Sequence, residues 1–163
     1  MIILGIDPGT ATTGYGVIEK IGSRTKYITC GVILTPKEAA MPDRLRSIYD
    51  QLCEIIDKHQ PDAIVTEQLF FSTNVTTGLQ VGRAVGVVLL AASQRNIPWR
   101  EYRPAEVKMA VVGFGAAEKK QVQFMVKQLL GLDKTPKPDD AADALAIAIT
   151  HAHSSTLLDA GRR

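Results

Sequence analysis

Apolar and polar positions along the chain change period several times, and each change marks an element. Three β-branched apolar runs come first, at residues 1–6, 14–20 and 26–34, divided by short stretches containing Gly, Pro, Ser or Thr. That grouping predicts three consecutive strands with tight connections. Over residues 43–59 the period becomes helical, with Leu45, Ile48, Tyr49, Leu52, Ile55 and Ile56 on one side. Residues 62–71 (DAIVTEQLFF) return to a strand-like run. A strand reached through a helix of that length implies a crossover and parallel pairing. A further helix is expected at 76–95, a short strand at 97–102, an amphipathic helix at 117–130 and a last helix from Asp139 to about His153. The order βββαβαβαα demands a mixed α/β sheet of five strands flanked by helices. Residues 1–155 form one domain on this reading, and 156–163 form a flexible tail without an apolar period.

The helix at 76–95 carries Gly78, Gly82 and Gly86 on one face. Each glycine costs a helix interior about 1 kcal/mol against alanine. Such a stripe suits close approach of another backbone, either a partner helix in a dimer or the protein's own sheet.

With 163 residues, 45% of them hydrophobic and 22% charged, the composition is that of one globular domain, which excludes fibrous and disordered classes. Cys30 and Cys53 are too few for a disulfide framework, and the N-terminal residues show no secretion signal. No apolar run is long enough to span a bilayer. A cytoplasmic protein is expected.

The formal net charge of +2 hides an uneven distribution. Residues 95–137 hold nine basic and four acidic side chains, whereas the flanking segments are slightly acidic. A basic block beside acids is either a solvated helix face or a surface for a polyanion.

The acids supply the candidate chemistry. Asp7 ends the first strand, just before Pro8 and Gly9; a carboxylate there needs solvent, a hydrogen bond or a cation. Glu67 interrupts a run that otherwise looks like a core strand. The last helix begins Asp139-Asp140-Ala141-Ala142-Asp143, so either Asp139 or Asp140 shares a face with Asp143. The helix dipole explains acids in a first turn, but Asp143 continues into a nearly all-apolar helix and wants a cation. An oxygen-only set favours hard cations, Mg²⁺ or Mn²⁺, and four carboxylates suit two of them. His151 and His153 lie further along the same helix, as surface residues or as a proton relay. The segment Gly5-Ile6-Asp7-Pro8-Gly9-Thr10 is also similar to the phosphate-binding opening of actin-like ATPases, but 163 residues cannot hold their two repeated halves.

Taken in order, GIDPG, TEQLFF, VVGFGAAEKKQV and DDAADALAIAITHAH resemble the RuvC family of Holliday-junction resolvases across residues 1–155. The resemblance implies a ribonuclease H-like fold and a homodimer joined through the 76–95 helix. It implies an endonuclease that cuts two strands of a four-way DNA junction symmetrically, leaving 5′-phosphate and 3′-hydroxyl ends. Asp7, Glu67, Asp140 and Asp143 match the family's catalytic acids, holding two Mg²⁺, with Mn²⁺ able to substitute. Phe70 matches an aromatic near the branch point, with Phe71 beside it. Lys108 and Lys119 match basic residues along the DNA path, and Lys120 is their neighbour. Branch-migration machinery is the implied partner. A non-catalytic DNA-binding module of the same fold is the rival reading, and the completeness of the four acids argues against it.

Overall fold

A computed structural model describes residues 1–68 and 75–160. Its element order is β1 (Ile2–Asp7), β2 (Thr12–Ile21), β3 (Arg24–Leu34), α1 (Met41–His59), β4 (Ala63–Glu67), α2 (Val75–Gln94), β5 (Trp99–Tyr102), α3 (Pro104–Val112), α4 (Lys119–Leu129) and α5 (Asp139–Ala160). The five strands form one sheet in the order β3-β2-β1-β4-β5. The first three are antiparallel neighbours, whereas β4 runs parallel to β1 and β5 parallel to β4. The mixed sheet and the crossover expected from the hydrophobic pattern are both present.

Strand parity decides what each face of the sheet does. Leu4, Ile6 and Ile64 point to one side, where they pack with Ile48, Leu52 and Ile56 of α1 and Val88, Ala91 and Ala92 of α2. Ile3 and Val65 point to the other, against α3, α4 and α5. Because side chains alternate along a strand, Gly5 and Asp7 follow Ile3, and Glu67 follows Val65. Both candidate acids therefore emerge on the α5 side. Glu67 is only partly exposed, so its strand register does not turn it out to solvent.

Helix α5 lies unusually close to β1 and β2. A methyl group added at Gly5 would run into the Ala144 carbonyl and the Ala148 amide; one at Gly14 would meet the backbone of Asp140. At Gly16 it would strike Leu145. Gly5 pairs with Gly16 and Asp7 with Gly14 in the β1–β2 register, so these absent side chains make one shallow trough. An alanine-rich helix fills it: Ala141, Ala142, Ala144, Ala146 and Ala148 are all buried.

Three expectations need correction. Helix α3 was not anticipated, because its nine residues show little amphipathic contrast; Pro104 at its first position and Gly113 as its left-handed stop were the available signals. Helix α5 continues to Ala160, beyond both the expected end near His153 and the loss of apolar period. Of the tail, 156–160 is therefore helical, and 161–163 lie outside the described residues.

Candidate active site

Asp7 stands at the carboxyl end of β1, Glu67 at the carboxyl end of the adjacent parallel β4, and Asp140 and Asp143 in the first turns of α5. The trough under α5 sets their relation, since Asp140 packs directly on Gly14, the register partner of Asp7. Asp7, Glu67 and Asp143 share a cleft of about 200 Å³, completed by Pro104, Val107, Lys108, Lys119, Val122, Ala146 and Ile147.

Two short capped helices deliver the lysines. The Arg103 amide donates to Glu106 Oε2 at 2.6 Å, fixing the start of α3 and hence Lys108 one turn later. The Glu118 amide donates to Gln121 Oε1 at 2.8 Å, fixing the start of α4 at Lys119. Lys119 Nζ lies 2.8 Å from Asp143 Oδ2 and 3.8 Å from Asp139 Oδ2. Asp139 is also held by Lys137 Nζ at 2.8 Å.

The electrostatics separate the acids. Burial pushes the Asp7 carboxyl up to about 7, and the charges of Asp143, Asp140 and Glu67 add to the effect against an opposing pull from Lys119. Glu67 is raised by burial and by Asp143, and lowered by Lys108 and Lys119. Asp139 moves the other way, held below the ordinary carboxylate range by its bond to Lys137. Lys119 is raised, chiefly by its bond to Asp143. The Asp139/Asp140 ambiguity is thereby narrowed: the charge of Asp140 acts on Asp7, whereas Asp139 is half-exposed and already paired with Lys137.

This is a site with excess negative charge, made only of hard oxygen donors, and it suits hard divalent cations. Among the described residues, no three of the carboxylates yet converge around one point as they would around an ion. Asp143 is instead engaged by Lys119.

The remaining sequence candidates fall in different places. Lys120 is exposed and does not line the cleft. Phe70 and Phe71 lie outside the described residues. His151 is not a surface residue: it is 9% exposed, and its Nδ1 is 2.7 Å from the Tyr102 hydroxyl. His153 Nδ1 is 3.1 Å from the Ala110 carbonyl oxygen. Neither lines the acidic cleft. Sequence reasoning missed Pro104 and Val107 as walls of the cleft because it missed α3.

Comparison with known proteins identifies the family. The family profile described as "Crossover junction endodeoxyribonuclease RuvC" matches residues 3–151. A protein of that name from Desulforamulus reducens is 55% identical over 156 residues, covering 96% of each chain. Another, from Syntrophomonas wolfei, is 53% identical over 157 residues, covering 96% of this chain and 91% of the relative. Thermus thermophilus RuvC, solved in complex with Holliday junction substrate, superposes with a TM-score of 0.91 at 35% identity and 96% coverage of both chains. A chain matched over nearly its whole length by profile, sequence and fold belongs to the RuvC family of crossover junction endodeoxyribonucleases.

Proposed function

We propose that the protein resolves four-way DNA junctions as a divalent-metal-dependent endodeoxyribonuclease, cutting two opposed strands symmetrically in recombination and repair. The observation that carries this reading is one cleft lined by Asp7, Glu67 and Asp143 from three elements together with Lys108 and Lys119, with the charge of Asp140 acting on Asp7 from the first turn of α5. The four acids would hold two Mg²⁺, or Mn²⁺ in their place, which when bound supply Lewis-acid activation of water and charge stabilisation at the leaving 3′-oxygen. Asp7 and Glu67 fix the strand side of the site, and Asp140 and Asp143 fix the helix side. Lys108 and Lys119 draw the phosphate backbone in, with Lys120 adding charge outside the cleft. Phe70, with Phe71 as its neighbour, is assigned to stacking at the branch point. The products carry 5′-phosphate and 3′-hydroxyl ends.

Paired cutting needs two active sites, and α2 supports a homodimer. Leu79, Leu89 and Leu90 are exposed on that helix. A methyl added at Gly86 would meet no atom within 4 Å, so this glycine is not explained by packing inside the protomer. We assign residues 76–95 to the seam, residues 1–155 to a single nuclease domain, and the protein to the cytoplasm alongside branch-migration machinery. Among the described residues, no helix is long and apolar enough to cross a membrane.

The test compares a mobile four-way junction, a linear duplex and an RNA–DNA hybrid of the same sequence, each with Mg²⁺ and with chelator. Paired nicks in the junction alone, only with Mg²⁺, are expected. Tight junction binding without cutting under any metal would favour the non-catalytic module instead.

A further inference from the structure

Lys119 has a second partner, Asp143, that its proposed role toward phosphate does not use. Its ammonium sits 2.8 Å from one carboxylate oxygen of Asp143, inside the cleft shared with Asp7 and Glu67, and 3.8 Å from Asp139. We propose that Lys119 is an exchangeable internal counter-ion, which holds Asp143 in the metal-free protein and releases it when a divalent cation is taken up, becoming free to bind phosphate. The inference rests on the nuclease reading above and gives its lysine a second partner.

Three observations carry it. The carboxylates do not converge on a common point while Asp143 is engaged by Lys119, so forming a coordination shell requires side chains to turn. The ammonium and a divalent cation repel each other, and both would draw on the charge of the one Asp143 carboxylate. Finally, the pair is open to water, with side-chain exposures of 54% for Lys119 and 31% for Asp143, so breaking it is easy. A lysine's flexible stem then lets the freed ammonium swing within the cleft toward an incoming phosphate.

The consequence is a coupling between sites. If a cation frees Lys119 for phosphate, then phosphate held by Lys119 must favour the cation by the same factor. Lys108 provides the internal control. It lines the same cleft and its charge acts on Glu67, yet among the described residues it forms no ion pair with any acid.

The experiment is calorimetric titration of Mn²⁺ into the full chain, without DNA, for the parent and for Lys119→Met, Lys108→Met and Lys120→Met. Lys119→Met is expected to bind Mn²⁺ about two- to fivefold more tightly than the parent, the scale of losing one competing exposed ion pair. Lys120→Met, outside the cleft, should change affinity less than about twofold, and Lys108→Met, which lines the cleft but gives up no ion pair, should tighten it clearly less than Lys119→Met. Equal tightening by Lys108→Met would overturn the exchange in favour of general electrostatics, and so would an unchanged Lys119→Met. Absence of Mn²⁺ uptake by the parent would overturn the nuclease reading as well. A measurement on the unsubstituted protein is independent of any variant's folding: the side-chain NMR signal of Lys119 should shift on Mg²⁺ addition while that of Lys120 stays still. A Lys119 signal that does not move under saturating Mg²⁺ sinks the proposal.

Discussion

On the α5 side of the sheet, Gly5, Gly14 and Gly16 lie against helix backbone and side chain, with no room for even a methyl group. On the opposite side, Gly86 of α2 faces nothing within the protomer. The same residue type thus serves two ends. In the strands it brings a helix close enough for Asp140 and Asp143 to meet Asp7. On α2 it leaves a smooth, partly apolar surface available to another molecule. A glycine's meaning lies in what stands opposite its missing side chain.

The largest expected effect is on the chemical side of this contrast. Asp7→Asn should lower junction cutting at least about a thousandfold, since metal-site charge stabilisation is worth several kcal/mol, while gel-shift binding persists. Cutting near the parental rate would remove Asp7 from the site. Next comes the trough itself. Gly5→Ala should destabilise the fold by about 3 kcal/mol, because the obstructing atoms are α5 backbone and cannot rotate away. Urea denaturation reads this directly.

The pH dependence of the metal-free protein sharpens the same point. The Asp7 carboxyl titrates near 7 when folded and near 3.8 when unfolded, so the folded state holds the extra proton between those values. Its contribution to stability is complete below about pH 4 and is lost as pH rises through 7. Asp7→Asn should flatten that decline in a series of denaturation curves, and an unchanged slope would count against a buried, raised carboxyl.

Gly86→Ala should have the opposite sign to Gly5→Ala, stabilising the isolated protomer by up to about 1 kcal/mol through helix propensity. Equal destabilisation by both substitutions would erase the contrast between the two faces. The smallest effect is expected from Asp139→Asn, a half-exposed acid paired with Lys137, which should shift stability by no more than about 0.5 kcal/mol.

Much of this was legible in the sequence because it depended on local rules. Asp7 at the end of one strand run and Glu67 within another stood out as acids among apolar neighbours, and helical spacing put either Asp139 or Asp140 on one face with Asp143. What escaped depended on tertiary contact. Helix α3 buries only Val107 and Val111, too few positions to stand out as a helical period. The choice between Asp139 and Asp140 turned on tertiary contacts, the charge of Asp140 on Asp7 and the pairing of Asp139 with Lys137 and Lys119, which helical spacing alone does not distinguish. His151 gave no sequence sign of its bond to Tyr102, which joins residues 49 positions apart.

The parity of β1 has one more consequence. Ile3, Gly5 and Asp7 share a face, so inserting or deleting one residue early in this strand would not merely misplace a candidate metal-binding acid. It would send Asp7 into the aliphatic layer beneath α1 and α2 and press a bulky side chain into the trough. Such a frame-shifted strand should fail at folding, which leaves the chain open to proteolysis. Substitution of the acid itself should leave the scaffold whole and, on the function proposed above, give a protein that still binds a junction it cannot cut. Within β1, then, damage sorts into two classes, self-eliminating and obstructive, and the spacing of alternate residues decides which one results.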